Sequence, residues 1–533
     1  MKYLPFLLLI VFSSFFCHSQ VISLIKPIPQ STYPWNVKGF TSCNGDLYFS
    51  NGTQLWKTNG DSTNTVMLMQ SFSDVKSITC YNNKVYFVAS DSVNGDELWA
   101  SDGTAQGTQM VKNIMMSNGP GAYFYNTLDP EGLLTVYNNL LYFVGNDYYH
   151  GSELWQSDGT TSGTQMVVDI DPGTGVYASG VKSNLSVYNN KIFFRGGVDS
   201  LRLWTSDGTA AGTHPINSIL PTGYAIFGFN GRVYLAGIQK DSLSADYGKW
   251  GLLSSDGTDT GTLLISDSIE YLTENNAVLN NKLVFMPYHS GNLHDLYITD
   301  GTPGGTSPLK KDLRLVGPNR NAYFAVYNNK VYFSASSFVG INSCQLWETD
   351  GTPQGTIEFA NFTPYLNPSF LTVANGLLYF KGVDSSRVEL WSTDGTLPNT
   401  KVINMPAANA TYAYSSTVFG NLRAPIYHQG NHLYFQSFYD TAVGLALYKY
   451  AIMPEGIDVI ESPPTTMFYP NPATGFIETT EAEVQKITVF DLTGKMLLEG
   501  SGRRIDISSL NPGVYIVLVR TKSGQKISRV LKR

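Results

Sequence analysis

Charged residues are scarce in this chain of 533 residues. Asp, Glu, Lys and Arg together make up 14% of it, against about 25% in a typical soluble domain. The formal net charge is −7, so the chain lacks the basic surface that binding to nucleic acid requires. No apolar run after residue 20 approaches the roughly 20 residues that cross a bilayer as a helix. These absences argue against a nucleic-acid partner and against a transmembrane segment.

Motifs for catalysis and cofactor binding are also missing. The chain has seven histidines and contains no HExxH, GxSxG, CxxC or phosphate-binding loop, the short patterns that signal metal, nucleophilic, redox or nucleotide chemistry. We therefore predict no catalytic residue, no cofactor and no metal site. The question of enzymatic activity stays open, with a preference for a protein that is not an enzyme.

Cysteine is rare as well. Residues 1–20, MKYLPFLLLIVFSSFFCHSQ, have a Lys near the start, an apolar run and a polar end, which predicts a secretory signal peptide. Its removal would leave Cys43, Cys80 and Cys344. Export permits a disulfide between Cys43 and Cys80, but three buried free thiols are the state that we expect.

One phrase recurs along most of the chain. It reads ELWASDGT at 97–104, and a weaker opening copy, QLWKTNGD, stands at 54–61. The other copies are at 153–160, 202–209, 251–258, 295–302, 345–352 and 389–396. The Asp or Asn before the first Gly returns at intervals of 43 to 56 residues, a period typical of propeller blades and comparable repeats.

A second phrase, NNKVYF at 82–87, precedes the first and has nine copies. In the second repeat we predict strands at 74–81, 84–89, 97–101 and 108–114, with a tight Asn-Asn turn between the first two. Antiparallel four-stranded units at this period predict a β-propeller. Nine copies of the second phrase predict eight or nine blades. The last repeat lacks a fourth strand, which the N-terminal segment could supply.

We interpret the DGT phrase as a structural turn. Its first Gly, for example Gly103, predicts a positive φ, and its second, for example Gly107, varies only to Asn, so we expect a left-handed backbone there too. Each copy offers one carboxylate and no spacing of the kind that assembles a Ca²⁺ site. The residues assigned to turns are Asp102, Gly103, Asp158, Gly159, Asp207, Gly208, Asp256, Gly257, Asp300, Gly301, Asp350, Gly351, Asp394 and Gly395.

Ligand binding is expected at the rim where the connections vary in length, because variable loops on a rigid scaffold commonly carry binding residues. Aromatic side chains in these connections suit stacking on sugars or contact with a protein. The alternative, that these rings fill the channel or pack under loops, stays open. The candidates are Tyr123, Phe124, Tyr125, Tyr148, Tyr149, Tyr323, Phe324, Tyr412 and Tyr414.

The repeats stop near residue 450. A Pro-containing linker follows at 451–466. Residues 467–533 then alternate apolar and polar positions between Asn-Pro, Thr-Gly, Pro-Gly and Ser-Gly turns, which predicts a small Ig-like β-sandwich. Its distinctive residues are Tyr469, Pro470, Asn471, Pro472, Asp491, Gly494, Lys495, Gly513 and Tyr515.

These phrases resemble two known families. The repeats between about 40 and 450 resemble the ELWxxDGT repeat proteins of bacterial cell surfaces, although Leu253 and Tyr297 replace the Trp in two copies. The tail resembles a type IX secretion sorting domain. That resemblance implies passage across the outer membrane, removal of the domain by a sortase-like peptidase, and release or attachment to surface lipopolysaccharide.

The sequence thus predicts an exported all-β protein with a signal peptide at 1–20, a propeller at 21–450, a linker at 451–466 and a sorting domain at 467–533. We expect a monomer that acts as a binding or adhesion scaffold for a glycan or a protein. The alternative is a secreted hydrolase acting on polysaccharide, which carboxylates roughly 5–10 Å apart at the channel mouth would favour.

Overall fold

The computed structural model describes residues 22–532 except 29–37, 71, 73, 92, 115–133, 148, 174–179, 199, 290–292, 316–320, 338–342, 360–365, 385–386, 404–424, 441–443, 453–467, 482, 492–494 and 523. This part of the chain consists of β-strands and connections, so the all-β prediction is confirmed. Within it, no helix has the length and apolar character needed to cross a membrane. The predicted signal peptide and most of the predicted linker lie outside the described residues.

The chain divides into two compact units. The larger comprises Ser23–Gln429 and Tyr434–Lys449, and most of the smaller is Tyr450–Arg533. The larger unit carries the repeats and the smaller carries the tail.

Each of the first four repeats forms one antiparallel sheet whose four strands follow their order in the chain. Blade 1 contains β2 (Lys38–Cys43), β3 (Asp46–Ser50), β4 (Leu55–Thr58) and β5 (Val66–Met69). Blade 2 contains β6 (Val75–Tyr81), β7 (Lys84–Asp91), β8 (Gly95–Ser101) and β9 (Gln109–Lys112). Blade 3 contains β10 (Thr135–Tyr137), β11 (Leu140–Asn146), β12 (Ser152–Ser157) and β13 (Gln165–Val168). Blade 4 contains β14 (Ser186–Tyr188), β15 (Lys191–Gly196), β16 (Arg202–Ser206) and β17 (His214–Ile216).

The next four repeats form sheets of the same order. Blade 5 contains β18 (Ile219–Phe229), β19 (Arg232–Gln239), β20 (Trp250–Ser255) and β21 (Leu263–Ser266). Blade 6 contains β22 (Tyr271–Leu279), β23 (Lys282–His289), β24 (Leu293–Thr299) and β25 (Ser307–Arg314). Blade 7 contains β26 (Ala325–Tyr327), β27 (Lys330–Ala335), β28 (Gln345–Thr349) and β29 (Ile357–Glu358). Blade 8 contains β30 (Ser369–Ala374), β31 (Leu377–Asp384), β32 (Arg387–Thr393) and β33 (Lys401–Val402).

The last blade is built from both ends of the repeat region. Strands β34 (Tyr427–Gln429), β35 (His432–Asp440) and β36 (Gly444–Ala451) pair in order, and β1 (Ile22–Pro27) pairs with β36 as the fourth strand. This N-terminal strand therefore completes the final sheet, as predicted. Of the eight or nine blades expected, nine are present among the described residues.

Neighbouring blades pack through apolar side chains, and the first strands of adjacent blades contact each other. Strands in this position lie nearest the axis of a ring, because radial sheets converge there. Between the last and first blades, Ile25, Phe49, Trp56, Tyr434 and Leu447 belong to one buried cluster. The ring is therefore closed by a hydrophobic interface as well as by strand pairing.

A disulfide joins the innermost strands of blades 1 and 2. Cys43 and Cys80 are bridged, with their Cα atoms 5.4 Å apart, a separation typical of disulfides. Cys344 is a buried free thiol. The expectation of three free thiols is therefore wrong, since the repeat places the ends of β2 and β6 side by side.

The tail forms two sheets around one apolar core. One pairs β37 (Phe468–Tyr469), β38 (Phe476–Thr479) and β41 (Arg504–Asp506). The other contains β39 (Val484–Phe490), β40 (Met496–Gly500), β42 (Gly513–Thr521) and β43 (Gly524–Lys532), in the order β40-β39-β42-β43. The buried side chains of Ile477, Ile487, Val489 and Val517 lie in the core of this sandwich.

Candidate functional site

The DGT turns connect the third and fourth strands of blades 2–8. In blade 2, one carboxylate oxygen of Asp102 accepts hydrogen bonds from the amide and hydroxyl of Thr104, at 2.9 and 2.7 Å. The Thr104 hydroxyl accepts a bond from the amide of Gly107 at 2.9 Å. Thr104 holds the pKa of the Asp102 carboxyl below its usual range, first through its hydroxyl and then through its amide. Equivalent Asp–Thr bonds occur in the other six turns.

Glycine is required at the two positions of the turn for different physical reasons. The first has φ between 87° and 96° in all eight copies of the phrase, which confirms the predicted positive φ. The second, for example Gly107, does not have a left-handed φ, and a β-carbon there would collide with the Asp102 carboxylate. Where Asn399 replaces this Gly, its amide donates a hydrogen bond to Asp394 at 2.6 Å. The predicted left-handed backbone at the second Gly is therefore wrong, because the carboxylate sets the requirement.

Each of these carboxylates is bonded within its own turn. In the part of the chain that the structure describes, no group of three or more His, Cys, Asp or Glu side chains is placed to hold a metal ion. The assignment of the turn aspartates to structure, with no ligand of their own, stays a prediction.

Three of the ELW phrases begin with a buried acidic residue, Glu97, Glu153 or Asp295. The sequence alone did not single out these residues. Both oxygens of Glu153 accept backbone N–H bonds, from Ile170 at 2.8 Å and from Asp171 and Gly180 at 3.1 and 3.0 Å. Glu97 and Asp295 accept corresponding bonds from Ile114 and Asp312. Glu97 and Glu153 thus fasten the segment after the fourth strand to the third strand, and Asp295 bonds to the fourth strand itself. The signal in the sequence was an acidic residue inside an otherwise apolar strand.

Burial raises the pKa of Glu153 to about 7, against the opposing effect of its three backbone N–H bonds. The carboxyl group is fully inaccessible to solvent. Glu153 therefore changes its charge near neutral pH, inside blade 3.

The structure describes three of the nine rim candidates. Tyr123, Phe124, Tyr125, Tyr148, Tyr412 and Tyr414 lie outside the described residues. Tyr149 is exposed over 64% of its surface, in a loop that the Asp147 carboxylate organises by bonds to the backbone and ring of His150. Tyr323 and Phe324 lie elsewhere, directly before β26, the innermost strand of blade 7.

Tyr323 and Phe324 line a cleft of about 350 Å³, within the range of about 300–1,000 Å³ common for small-molecule sites. We call it the axial cleft. Its ten lining residues come from the innermost strands of blades 6 and 8 and from the segments that enter blades 7 and 9. They are Glu274, Asn275, Asn276, Asn321, Tyr323, Phe324, Phe370, Leu371, Thr372 and Ile426.

Irregular pairing of the innermost strands shapes this wall. The register of β22 shifts between Leu272 and Asn276, and that of β30 shifts between Ser369 and Thr372. Residues between these points leave the ladder, so they are available to face the axis. Two bonds connect the blades here: Asn275 accepts from the amide of Ala322 at 2.8 Å, and Thr372 donates to the carbonyl of Ile426 at 3.3 Å.

Two aromatic rings form a corner in the cleft. The rings of Tyr323 and Phe370 have centroids 4.8 Å apart and are inclined by 51°. Both residues have positive φ, 51° and 53°, and a left-handed backbone costs an L-residue about 1–2 kcal/mol. For bulky side chains such a backbone is unusual, and unusual backbone of this kind concentrates at binding sites.

A buried lysine lies behind this corner. Lys381 on β31 is only 4% exposed, and its ammonium is 5.6 Å from the centroid of the Phe370 ring and 3.4 Å from the carbonyl oxygen of Gln436. Desolvation lowers the pKa of Lys381 to about 7. The cation therefore contacts Phe370 from the protein side and is not among the residues lining the cleft.

The motif residues of the tail stabilise its turns. Tyr469-Pro470 and Asn471-Pro472 are cis peptides, and the Asn471 side chain accepts a bond from the amide of Leu531 at 3.0 Å. Asp491 accepts from the amide of Lys495 at 3.0 Å. The Tyr515 hydroxyl donates to the carbonyl of Asn511 at 2.6 Å, and Gly513 begins β42. Gly494 lies outside the described residues.

Comparison with known structures finds matches of low similarity. A puromycin hydrolase is 11% identical with a TM-score of 0.33, over 67% of this chain and 58% of that one. A puromycin-hydrolyzing peptidase of Mycobacterium tuberculosis is 9% identical with a TM-score of 0.36, over 75% of this chain and 57% of that one. The β-propeller domain of the trilobed protease of Pyrococcus furiosus is 13% identical with a TM-score of 0.30, over 64% of this chain and 99% of that one. Similarity this low supports no inference about activity.

The chain thus spans less than three fifths of the length of the two hydrolases. A search among curated protein sequences finds no match. Residues 467–533 match the secretion system C-terminal sorting domain. This sorting domain marks the protein for export through type IX secretion, to the cell surface or into the surroundings.

Proposed function

We propose that this chain is an exported binding protein whose propeller holds an extracellular glycan or protein in the axial cleft. The single observation that carries the proposal is the corner of Tyr323 and Phe370, which combines two aromatic faces with a strained backbone at a cleft. Aromatic anchors beside a few polar groups are typical of ligand sites. The predicted kinship with ELWxxDGT surface proteins agrees with this role.

Binding fits the cleft better than hydrolysis of a polysaccharide. Among the ten residues lining the axial cleft, Glu274 is the one carboxylate. Glycoside hydrolysis in most families uses two carboxyl groups, one on each side of the scissile bond. With one carboxyl group, the cleft is equipped to hold a ligand and lacks the second acid or base.

The proposal is tested by measuring retention and turnover together. The full chain is incubated with cell-envelope polysaccharides and extracellular proteins, and both bound ligand and newly released reducing ends are quantified. We expect retention without new reducing ends, and loss of retention in Phe370→Gly. Release of reducing ends that disappears in Glu274→Gln would instead establish a hydrolase.

The sorting domain defines the expected partners during export. We propose that the type IX machinery recognises residues 467–533 and that a sortase-like peptidase then removes them, leaving a monomeric propeller that is released or attached to lipopolysaccharide. The mass of the protein recovered outside the cell tests this step. We expect a chain that ends before residue 467, whereas an external protein with its C-terminus intact would rule out removal.

A further inference from the structure

The aromatic corner is formed by two large side chains at a position that small residues occupy in other blades. Tyr323 and Phe370 each stand five residues before the Asn that opens the hairpin turn of their blade, Asn328 and Asn375. The same position is Gly39 in blade 1 and Ser77 in blade 2, also with positive φ, 61° and 54°. A ring at this position therefore adds strain without being needed to build the blade.

The two rings are far apart in the sequence and meet only in the folded protein. Tyr323 belongs to blade 7 and Phe370 to blade 8, and they meet at 4.8 Å on the wall of the axis. Phe324, the residue after Tyr323, packs inward against Phe333 with ring centroids 5.5 Å apart. Phe324 thus contacts the core as well as the cleft, and the Tyr323–Phe370 pair forms the aromatic corner of the lining.

The lining of the cleft also includes polar side chains. Glu274 and Asn321 are exposed, and Asn276 is half-buried. Asn276 donates a hydrogen bond to the carbonyl of Glu274 at 3.0 Å, and Asn321 accepts one from the amide of Tyr323 at 2.7 Å. These local bonds fix the amide groups in place, and carboxylate and amide oxygens are acceptors for hydroxyl groups.

We propose that the axial cleft binds one pyranose ring of a neutral glycan, stacked on the Tyr323–Phe370 corner with its hydroxyl edge toward Glu274 and Asn276. This inference rests on the proposed function and specifies its ligand. A pyranose has an apolar face and a rim of hydroxyl groups, which matches a cleft that combines aromatic rings with carboxylate and amide acceptors. The one charged residue in the lining is Glu274, and its carboxylate disfavours anionic sugars.

The test compares the full chain with two variants that copy the small residues of blades 1 and 2. Phe370→Gly relieves the left-handed strain and Tyr323→Ser keeps the same backbone, while both remove the ring contact. Thermal unfolding of each variant is measured beside binding, so that a loss of affinity is compared only between folded proteins. Tyr247→Ala removes an exposed aromatic side chain outside the cleft and serves as the matched control. The probes are maltohexaose, cellohexaose, xylohexaose and mannohexaose, with oligogalacturonate as the anionic probe and a random peptide library as the protein probe, measured by calorimetry.

We expect at least one neutral hexasaccharide to bind, with its affinity falling about tenfold or more in Phe370→Gly and Tyr323→Ser and unchanged in Tyr247→Ala. Neutral sugar binding that survives both cleft substitutions would overturn the inference while leaving the proposed function in place. Binding of oligogalacturonate or peptides alone, lost in the cleft variants, would do the same. Absence of binding to every probe would count against both proposals.

Discussion

The phenolic oxygen of Tyr434, in the last blade, lies 2.7 Å from the position that a β-carbon would take on Gly60, in the first blade. In the same way, the phenolic oxygen of Tyr48 in blade 1 lies 2.6 Å from the β-carbon position of Gly103 in blade 2. At six of the eight copies, a Tyr of one recurring phrase packs in this way on the first Gly of the other phrase in the next blade. At the other two, Gly257 meets Lys191 and Phe193, and Gly351 meets Ile298 and Leu279. The two phrases recur together because they meet at the interfaces between blades.

The first prediction concerns this contact. Gly103→Ala places a methyl group both on a backbone with φ of 90° and against the Tyr48 hydroxyl. We expect the free energy of unfolding to fall by about 2–4 kcal/mol, as the sum of left-handed strain and steric overlap. Urea denaturation monitored by tryptophan fluorescence measures the change.

Two matched variants separate the two causes. Gly45 has a similar φ of 86° but nothing within 4 Å of a β-carbon, so Gly45→Ala should cost only about 1–2 kcal/mol. Tyr48→Phe in the Gly103→Ala background should recover part of the loss. Equal destabilisation by Gly45→Ala and Gly103→Ala would show that the Tyr contact has no role.

The second prediction concerns the disulfide between blades 1 and 2. Its cysteines are 37 residues apart, and closing a loop of this size in the unfolded chain stabilises the fold by about 2–4 kcal/mol. We expect the double variant Cys43→Ser/Cys80→Ser to lose that amount relative to the oxidised protein. Reduction with dithiothreitol should lower the thermal midpoint of the parent and leave that of the double variant unchanged. A reductant effect that persists in the double variant would contradict the assignment.

The third prediction concerns the pH dependence introduced by Glu153. Its folded pKa of about 7 lies above its usual 4.5, so between these values the folded state holds a proton that the unfolded state releases. Stability from this group is therefore present at low pH and lost as pH rises toward 7, by roughly 3 kcal/mol in total. Glu153→Gln should remove this slope when unfolding in urea is compared at about pH 5 and about pH 8. The same slope in Glu153→Gln would refute the assignment, and Glu270→Gln, at an exposed site, is the control.

The fourth prediction concerns Lys381. Its folded pKa of about 7 lies below its usual 10.5, so stability is lost as pH falls through this interval, where the unfolded state takes up a proton first. Burying a cation costs free energy, and an apolar side chain of similar length avoids that cost. We expect Lys381→Met to be more stable than the parent near neutral pH, with a gain that shrinks toward pH of about 10. The exposed Lys401→Met is the control, and a gain independent of pH would argue against desolvation as the cause.

Local features of the fold were predictable because they depend on neighbours in the chain. The Asn82-Asn83 pair has φ of 45° and 60°, as a tight hairpin turn requires, and the first Gly of each DGT has its positive φ for the same kind of reason. The second Gly was misassigned because its constraint comes from a side chain five residues away that folds back over the turn. The Cys43–Cys80 bridge was left open because it depends on how adjacent blades align.

By itself, the sequence determined the repeat unit, its four strands, its turns and the separate tail, because the spacing of apolar residues, Gly and Asn acts within one blade. Only the tertiary structure decided the Cys43–Cys80 bridge, the packing of Tyr48 on Gly103 of the next blade, and the meeting of Tyr323 with Phe370. Those relationships join residues of different repeats, and the packing of whole sheets around an axis sets their distances. The axial cleft, proposed here as the binding site, belongs to this second group, because its lining residues come from four blades.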